Sequence, residues 1–191
     1  MNASPSRDIQ VWDPALRLFH WSLAGAFLVA YTTEDDWATL HVNAGYLIGL
    51  LILLRLLWGF VGPRYARFSG FVRSPRQVMA YTADAVRLRA PRYIGHNPAA
   101  GAMVVALLIS LAVAVLTGIA LYGKMDLAGP LAGVWRGEQA AEALEEIHEA
   151  AANFTLFLVV LHLGGVFFTS LEHRENLVKS MITGRKKEMK A

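Results

Sequence analysis

The feature that most constrains this chain is a long apolar stretch at residues 99–122, which contains no Asp, Glu, His, Lys or Arg. Three further apolar stretches lie at residues 16–32, 40–61 and 150–171. A helix of about 20 residues crosses the roughly 30 Å hydrocarbon layer of a membrane. Each stretch reaches or approaches that length. The sequence therefore predicts an all-α, polytopic membrane protein built as a four-helix bundle.

The first stretch, residues 16–32, is the shortest and contains Arg17 and His20. A short apolar run near an N-terminus can instead belong to a cleaved signal peptide. Here the run is preceded by Trp-Asp-Pro at residues 12–14, and no small-residue cleavage site follows it before the acidic Glu34. We therefore predict a helix that is retained in the protein.

The chain contains no cysteine, and this limits how it can hold a metal or cofactor. Thiolate zinc sites, iron–sulfur clusters and covalently attached c-type haem all require cysteine. Any metal must therefore be bound by His, Met, Asp, Glu or the backbone. The composition, 55% hydrophobic and 17% charged, also excludes a disordered chain.

Basic and acidic residues are separated along the chain. Segments 33–39 and 123–149 contain only two of the 18 Lys and Arg residues, Lys124 and Arg136. The positive-inside rule therefore predicts that both termini and the 62–98 loop are cytoplasmic and that the two segments lie outside. The net charge of +3 conceals this separation, because the basic and acidic faces nearly cancel. The two outer segments hold nine of the 15 acids: Glu34, Asp35, Asp36, Asp126, Glu138, Glu142, Glu145, Glu146 and Glu149.

The 62–98 loop is rich in arginine and is interrupted by prolines. Because it connects two predicted spans, membrane orientation and contact with lipid headgroups account for its charge, and no nucleic-acid partner is predicted. Within the loop, Ser74-Pro75 followed by spaced apolar residues predicts a capped interfacial helix. These apolar residues are Val78, Tyr81, Ala85 and Leu88. With no internal repeat or low-complexity linker, residues 1–191 are interpreted as one domain.

Four histidines fall inside or at the ends of the predicted helices. An imidazole within a membrane span is costly unless it has a partner or a function. His20 lies near the cytoplasmic end of the first helix, and His41 lies at the outer start of the second. His148 precedes His162 by about four helical turns, so both share one face if the fourth helix begins early, between residues 138 and 143. Their separation along the axis would be roughly 21 Å, which is a spacing across the membrane.

The predicted topology sorts these histidines into two pairs. His41 and His148 share the outer level, and His20 and His162 share the inner level. Two imidazoles from facing helices are the axial ligands that a b-type haem requires. Zinc would need three or four ligands at one point, and no further Asp, Glu or Cys lies beside either pair within the predicted spans. The sequence therefore predicts two stacked haem sites.

Other residues near these sites have two possible interpretations each. Arg55 follows His41 by about four helical turns, and it either pairs with a propionate of the inner haem or snorkels to the cytoplasmic interface. His96 lies before the third helix, where it is either a helix-entry group or an interfacial group. His173 follows His162 by about three helical turns and competes for the inner site, although charged neighbours place it outside the hydrocarbon. Three glycines either admit a macrocycle or serve helix contacts: Gly25, Gly45 and Gly49.

Five motifs together resemble the bacterial cytochrome b561 family, which includes the b-type cytochrome subunits of nickel-iron hydrogenases. The resemblance extends from Val11 to about Arg185. It implies a four-helix membrane bundle with two haems b, whose ligands come from helices one, two and four. Carried over to this chain, the ligands are His20, His41, His148 and His162. The motifs are VWDP with RLFHW from Val11, HVNAGY from His41, RLLWGFVG from Arg55, GHNP from Gly95, and His148-Glu149 with Asn153.

The family is functionally mixed, and the charge of the outer face is what distinguishes this chain. An enzyme that collects superoxide should present positive charge outside, whereas this sequence presents acids. We therefore expect an inner-membrane diheme cytochrome of the respiratory chain that transfers electrons between the quinone pool and a periplasmic redox partner. That partner would be a c-type cytochrome or a dehydrogenase subunit with a basic docking surface.

Three alternatives remain open from the sequence. The chain could be a stand-alone superoxide or ferric-chelate oxidoreductase, or the b-type subunit of a hydrogenase-like complex. It could also be a haem-free protein whose imidazoles relay protons. The sequence contains no quinone motif, so we assign no residue to a quinone site, and the direction of electron flow depends on potentials that it does not reveal.

Overall fold

The computed structural model of the chain describes residues 8–33, 37–125, 129–132, 134 and 138–188. Part of the predicted outer charge therefore lies outside the described residues. This part comprises Glu34, Asp35, Asp36, Asp126 and Arg136.

The described residues are mostly helical. The seven helices among them are α1 (Pro14–Thr32), α2 (Ala38–Val61), α3 (Phe68–Phe71), α4 (Pro75–Val86), α5 (Pro98–Met125), α6 (Glu138–Glu172) and α7 (Leu177–Thr183). Each of the four predicted apolar helices is present. The expected early start of the fourth helix is confirmed, because α6 begins at Glu138.

Three of the described helices are long and apolar enough to cross a membrane: Ala38–Val61, Pro98–Lys124 and Ala140–Glu172. They correspond to α2, α5 and α6. The first predicted span is present as the 19-residue helix α1, which contains Arg17 and His20. That α1 also crosses the membrane, and that both termini are cytoplasmic, stay predictions.

Short polar side chains and prolines determine where several helices begin. Asp13 accepts a hydrogen bond from the Leu16 backbone N–H at 3.0 Å, directly before Pro14. Asn97 accepts one from Ala100 at 2.8 Å, directly before Pro98. These caps satisfy N–H groups that have no partner within the helix, and proline needs no such partner.

The helix predicted within the loop is confirmed as α4. Ser74 accepts a hydrogen bond from the Gln77 backbone, and the Gln77 side chain accepts one from the Ser74 backbone. This reciprocal capping box begins the helix at Pro75. Tyr81 is its buried residue.

A two-stranded antiparallel sheet joins the two ends of the chain, and the sequence analysis did not predict it. Strand β1 (Asp8–Gln10) pairs with β2 (Arg185–Lys187), with Ile9 opposite Lys186. Next to it, the Gly184 carbonyl accepts hydrogen bonds from the backbones of Val11 and Trp12. Gly184 adopts the left-handed conformation that ends α7, with φ of 80°. A small core of Val11, Trp12, Leu16 and Ala66 lies beside these contacts.

The chain divides into two compact units. The first unit contains the described residues within 1–20, 55–104 and 161–191. The second contains those within 21–54 and 105–160. In the first unit, Glu175 contacts Arg92 at 2.9 Å and Lys186 at 3.2 Å. Burial alone would raise the pKa of Glu175, but the hydrogen bonds and charges of these two cations lower it below its ordinary value.

Candidate functional site

Each unit contains one pair of facing histidines. In the second unit, the ring centroids of His41 on α2 and His148 on α6 lie 6.0 Å apart, at an interplanar angle of 76°. In the first unit, the rings of His20 on α1 and His162 on α6 lie 6.3 Å apart, at 53°. These are the two pairs that the predicted topology brings together.

The orientation of the His41 ring is determined by the backbone of α1. Its Nδ1 lies 2.8 Å from the carbonyl oxygen of Ala30. A carbonyl oxygen can only accept, so this contact assigns the proton to Nδ1 and leaves Nε2 with its lone pair. A histidine that binds a metal through Nε2 commonly donates its other N–H to a carbonyl in this way.

His148 has the same arrangement with a different helix. Its Nδ1 lies 2.8 Å from the carbonyl oxygen of Ala114 on α5. Nδ1 is also 3.4 Å from the hydroxyl oxygen of Thr117. Both histidines of this pair therefore have Nε2 available as a metal ligand.

A groove that is partly open to the surroundings lies beside the His41–His148 pair. Its walls are apolar and aromatic, and they include Phe27, Tyr46 and Tyr122. A Cβ on Gly45 would meet nothing within 4 Å, so this glycine leaves open space in the wall. A Cβ on Gly49 would instead lie 3.1 Å from Val115, which indicates a helix contact. Gly45 thus fits the macrocycle interpretation, and Gly49 fits the packing interpretation.

The geometry of the two pairs fits haem. Centroid separations of 6.0 and 6.3 Å leave room for one metal ion between the rings, since a bond from a metal to an imidazole nitrogen is about 2 Å. Within the described part of the chain, no three His, Cys, Asp or Glu side chains lie together as metal ligands. Two protein ligands and an apolar groove suit haem, whose porphyrin supplies the remaining ligands.

Arg55 is buried in the first unit, with only 2% of its surface exposed. Its Nη2 donates to the Ala66 carbonyl at 3.1 Å, and the guanidinium lies 4.9 Å from the centre of the Phe68 ring. The interpretation that Arg55 snorkels to the surface is therefore not supported. Its Nη1 is buried and has no hydrogen-bond partner among the described residues. An anionic group such as a propionate would satisfy it.

The two remaining histidines have other surroundings. The His96 ring lies 4.7 Å from both Trp12 and Phe71, measured between centroids. Burial, with smaller contributions from the charges of Arg55 and Lys186, lowers the pKa of His96 to about 3. It is therefore a neutral, half-buried residue of this aromatic cluster. His173 lies at the end of α6, with Nε2 3.8 Å from a carboxylate oxygen of Glu172.

The sequence analysis missed the contribution of α5 to the His148 surroundings. The third apolar stretch contains no potential ligand, so we assigned it no part in the site. A backbone acceptor such as the Ala114 carbonyl cannot be recognised in a sequence, since every residue carries one. The available signal was Gly118, one of two glycines in the 99–122 stretch, four residues after Ala114.

Comparison with known proteins identifies the family. The family model for the prokaryotic cytochrome b561 matches residues 11–184, which is most of the chain. Three relatives are named as probable Ni/Fe-hydrogenase B-type cytochrome subunits. The protein of Bradyrhizobium diazoefficiens is 23% identical over 93% of this chain and 85% of its own length. The protein of Rhizobium leguminosarum bv. viciae is 26% identical, with coverages of 94% and 89%. That of Cupriavidus necator is 24% identical, with coverages of 91% and 85%.

The extent of the family match agrees with the resemblance inferred from the five motifs. The three relatives align over nearly their whole lengths, so the likeness is not restricted to one segment. The apolar helices account for the membrane character of the chain. The chain therefore belongs to the prokaryotic cytochrome b561 family, and it is a multi-pass membrane b-type cytochrome of electron transport.

Proposed function

We propose that this protein is a diheme cytochrome of the bacterial inner membrane that transfers electrons between the quinone pool and a redox enzyme docked on its outer face. The observation that carries the proposal is the presence of two facing histidine pairs with ring separations of 6.0 and 6.3 Å. The two imidazoles of each pair would hold one b-type haem. The four ligands are His20, His41, His148 and His162.

The residues around each pair bind and orient the cofactor. The Ala30 and Ala114 carbonyls fix the tautomers of His41 and His148, so that Nε2 of each ring would be free to bind the haem iron. The apolar groove limits water at that site and accepts the macrocycle beside Gly45. In the other unit, Arg55 would hold a propionate through its buried Nη1, which has no hydrogen-bond partner among the described residues. The haem iron supplies one-electron oxidation and reduction when it is bound.

The names of the relatives favour a hydrogenase-type partner over a small c-type cytochrome. All three are named as hydrogenase cytochrome subunits, and they align over at least 85% of their lengths. An acidic stripe on α6 supports docking of a partner with a basic surface. Its members are spaced so that they share one helix face, and all are exposed: Glu142, Glu145, Glu146 and Glu149. Quinone would bind on the cytoplasmic side, where the basic loop meets the helix ends.

Haem content and partner identity test this function directly. We expect the purified protein to contain two haems per chain and to show the sharp bands of low-spin haem b on reduction. We expect purification from native membranes to recover a hydrogenase-type enzyme, and quinone to be reduced when that enzyme is given its substrate. A protein without haem would overturn the proposal. Haem reduction by superoxide with no partner present would instead favour a stand-alone oxidoreductase.

A further inference from the structure

Helix α5 carries no candidate metal ligand, but its residues contact His148 of the His41–His148 site. We propose that Thr117 and Gly118 are positioning residues for His148: Gly118 provides the space for its imidazole, and the Thr117 hydroxyl is a second acceptor for its Nδ1–H. The inference rests on the proposed function, since its consequence is a change in the haem that His148 binds. Ala114, Thr117 and Gly118 lie three and four residues apart, so they share one face of α5.

Gly118 is required because the imidazole occupies the place of a side chain. A Cβ on Gly118 would lie 2.8 Å from Cε1 and 3.1 Å from Nδ1 of His148. The first distance is shorter than real Cβ contacts allow. The ring cannot swing away freely, because its Nδ1 is bonded to the Ala114 carbonyl at 2.8 Å. Alanine at position 118 would therefore displace the ring from the position that the carbonyl defines.

The hydrogen bonds of Thr117 orient its oxygen lone pair toward His148. The hydroxyl donates its single proton to the Val113 carbonyl at 2.8 Å, which is closer than the Ala114 carbonyl at 3.1 Å. Its oxygen then faces His148 Nδ1 at 3.4 Å as an acceptor. The Nδ1–H is shared between a strong bond to Ala114 and a weaker one to Thr117.

A second acceptor changes the chemistry of the ligand. Hydrogen bonds accepted from the outer N–H of a metal-bound imidazole make the ring a better electron donor. A stronger donor stabilises the oxidised metal and lowers its reduction potential. Removal of the Thr117 hydroxyl should therefore raise the potential of the haem bound by His148. The shift should be small, because the Ala114 carbonyl remains as the main acceptor.

Redox titration of the haem-loaded protein tests the role of the hydroxyl. Valine is nearly isosteric with threonine, so Thr117→Val removes the acceptor and leaves the shape. We expect the midpoint potential of one haem to rise, that of the other to stay constant, and Thr117→Ser to retain the wild-type value. Thr32→Val is the matched control, since the Thr32 hydroxyl makes the same helical bond, to the Leu28 carbonyl at 2.8 Å. No shift in Thr117→Val, or an equal shift in Thr117→Ser, would overturn the role of the hydroxyl.

A second variant tests the space at position 118 independently. We expect Gly118→Ala to lose the haem bound by His148, or to shift its absorption bands, while the other haem is retained. Gly164→Ala is the control, because Gly164 is exposed on α6 and a Cβ there meets nothing within 4 Å. Unchanged content and spectra in Gly118→Ala would overturn the role of this glycine. A wild-type protein with two haems and unchanged variants would refute this inference alone, whereas a wild-type protein without haem would refute the proposed function.

Discussion

The two units present similar histidine pairs in different surroundings. In the second unit, the His41–His148 pair is fixed by backbone carbonyls and lies beside an apolar, aromatic groove whose described lining contains no Asp, Glu, Lys or Arg. In the first unit, the His20–His162 pair shares its unit with the buried cation Arg55 and with the ion pairs of Glu175. The ring separations themselves are nearly equal, at 6.0 and 6.3 Å.

This difference matters because ligand type alone does not determine a haem potential. Nearby charge, hydrogen bonds to the ligands and burial also change the reduction potential of the haem iron. Two bis-histidine haems in one chain can thus have different potentials when a cation lies near one of them. Such a difference gives the electron a preferred direction. Single substitutions in each unit can establish whether the two pairs behave as separate sites.

The largest expected effect is the loss of one haem of the two. His148→Ala should remove the haem of the His41–His148 pair, and His162→Ala should remove the other, because each leaves a single axial ligand. The haem content should fall by half in each variant, and the remaining haems should differ in midpoint potential. His173→Ala is the control and should retain both. Loss of both haems from each single variant would contradict separate sites.

A large but partial effect is expected when the groove is filled. Gly45→Leu places a side chain in the open space beside His41 and should strongly lower occupancy of that haem without changing the other. Gly164→Leu is the matched control, since Gly164 also has open space around it, is exposed on α6 and does not line the groove. Haem content measured per chain, with spectra of the remaining haem, distinguishes them. Full occupancy in Gly45→Leu would show that the macrocycle does not occupy this groove.

The helices and the histidine pairs could be predicted from the sequence, because each depends on periodic or directional information. Apolar length predicts a helix, and charge asymmetry predicts the direction in which the helix crosses the membrane. That direction places His20 at the level of His162 and His41 at the level of His148. The strands β1 and β2 could not be predicted, since such short segments with charged side chains carry no alternating pattern. The burial of Arg55 could not be predicted either, because it depends on contact with Phe68, which lies in α3. The hydrogen bond to the Ala114 carbonyl could not be predicted either, because Ala114 has no distinctive side chain.

A moderate effect is expected from Arg55, through charge. Arg55→Leu removes a buried cation, so the oxidised haem of the His20–His162 pair is stabilised and its midpoint potential should fall. Arg55→Lys keeps the charge and should lie nearer the wild-type value. Arg73→Leu is the control, because Arg73 is exposed and its guanidinium donates to carbonyls of its own loop. A fall in the potential of the other haem instead would contradict the assignment of Arg55 to the His20–His162 site.

The smallest expected effect concerns stability and depends on pH. The pKa of Glu175 is lower in the folded chain than in an unfolded one, so its ion pairs stabilise the fold at neutral pH. This contribution should be lost as the pH falls through the ordinary carboxyl range toward the lowered pKa. Glu175→Gln should therefore lower the free energy of unfolding by about 1–2 kcal/mol at pH 7 and by much less in acid.

Thermal unfolding in detergent at several pH values measures this difference. Glu142→Gln, which changes an exposed acid on α6, should leave the stability unchanged across the same range. If Glu175→Gln lost the same stability at every pH, the side chain would contribute through its shape and not through its charge.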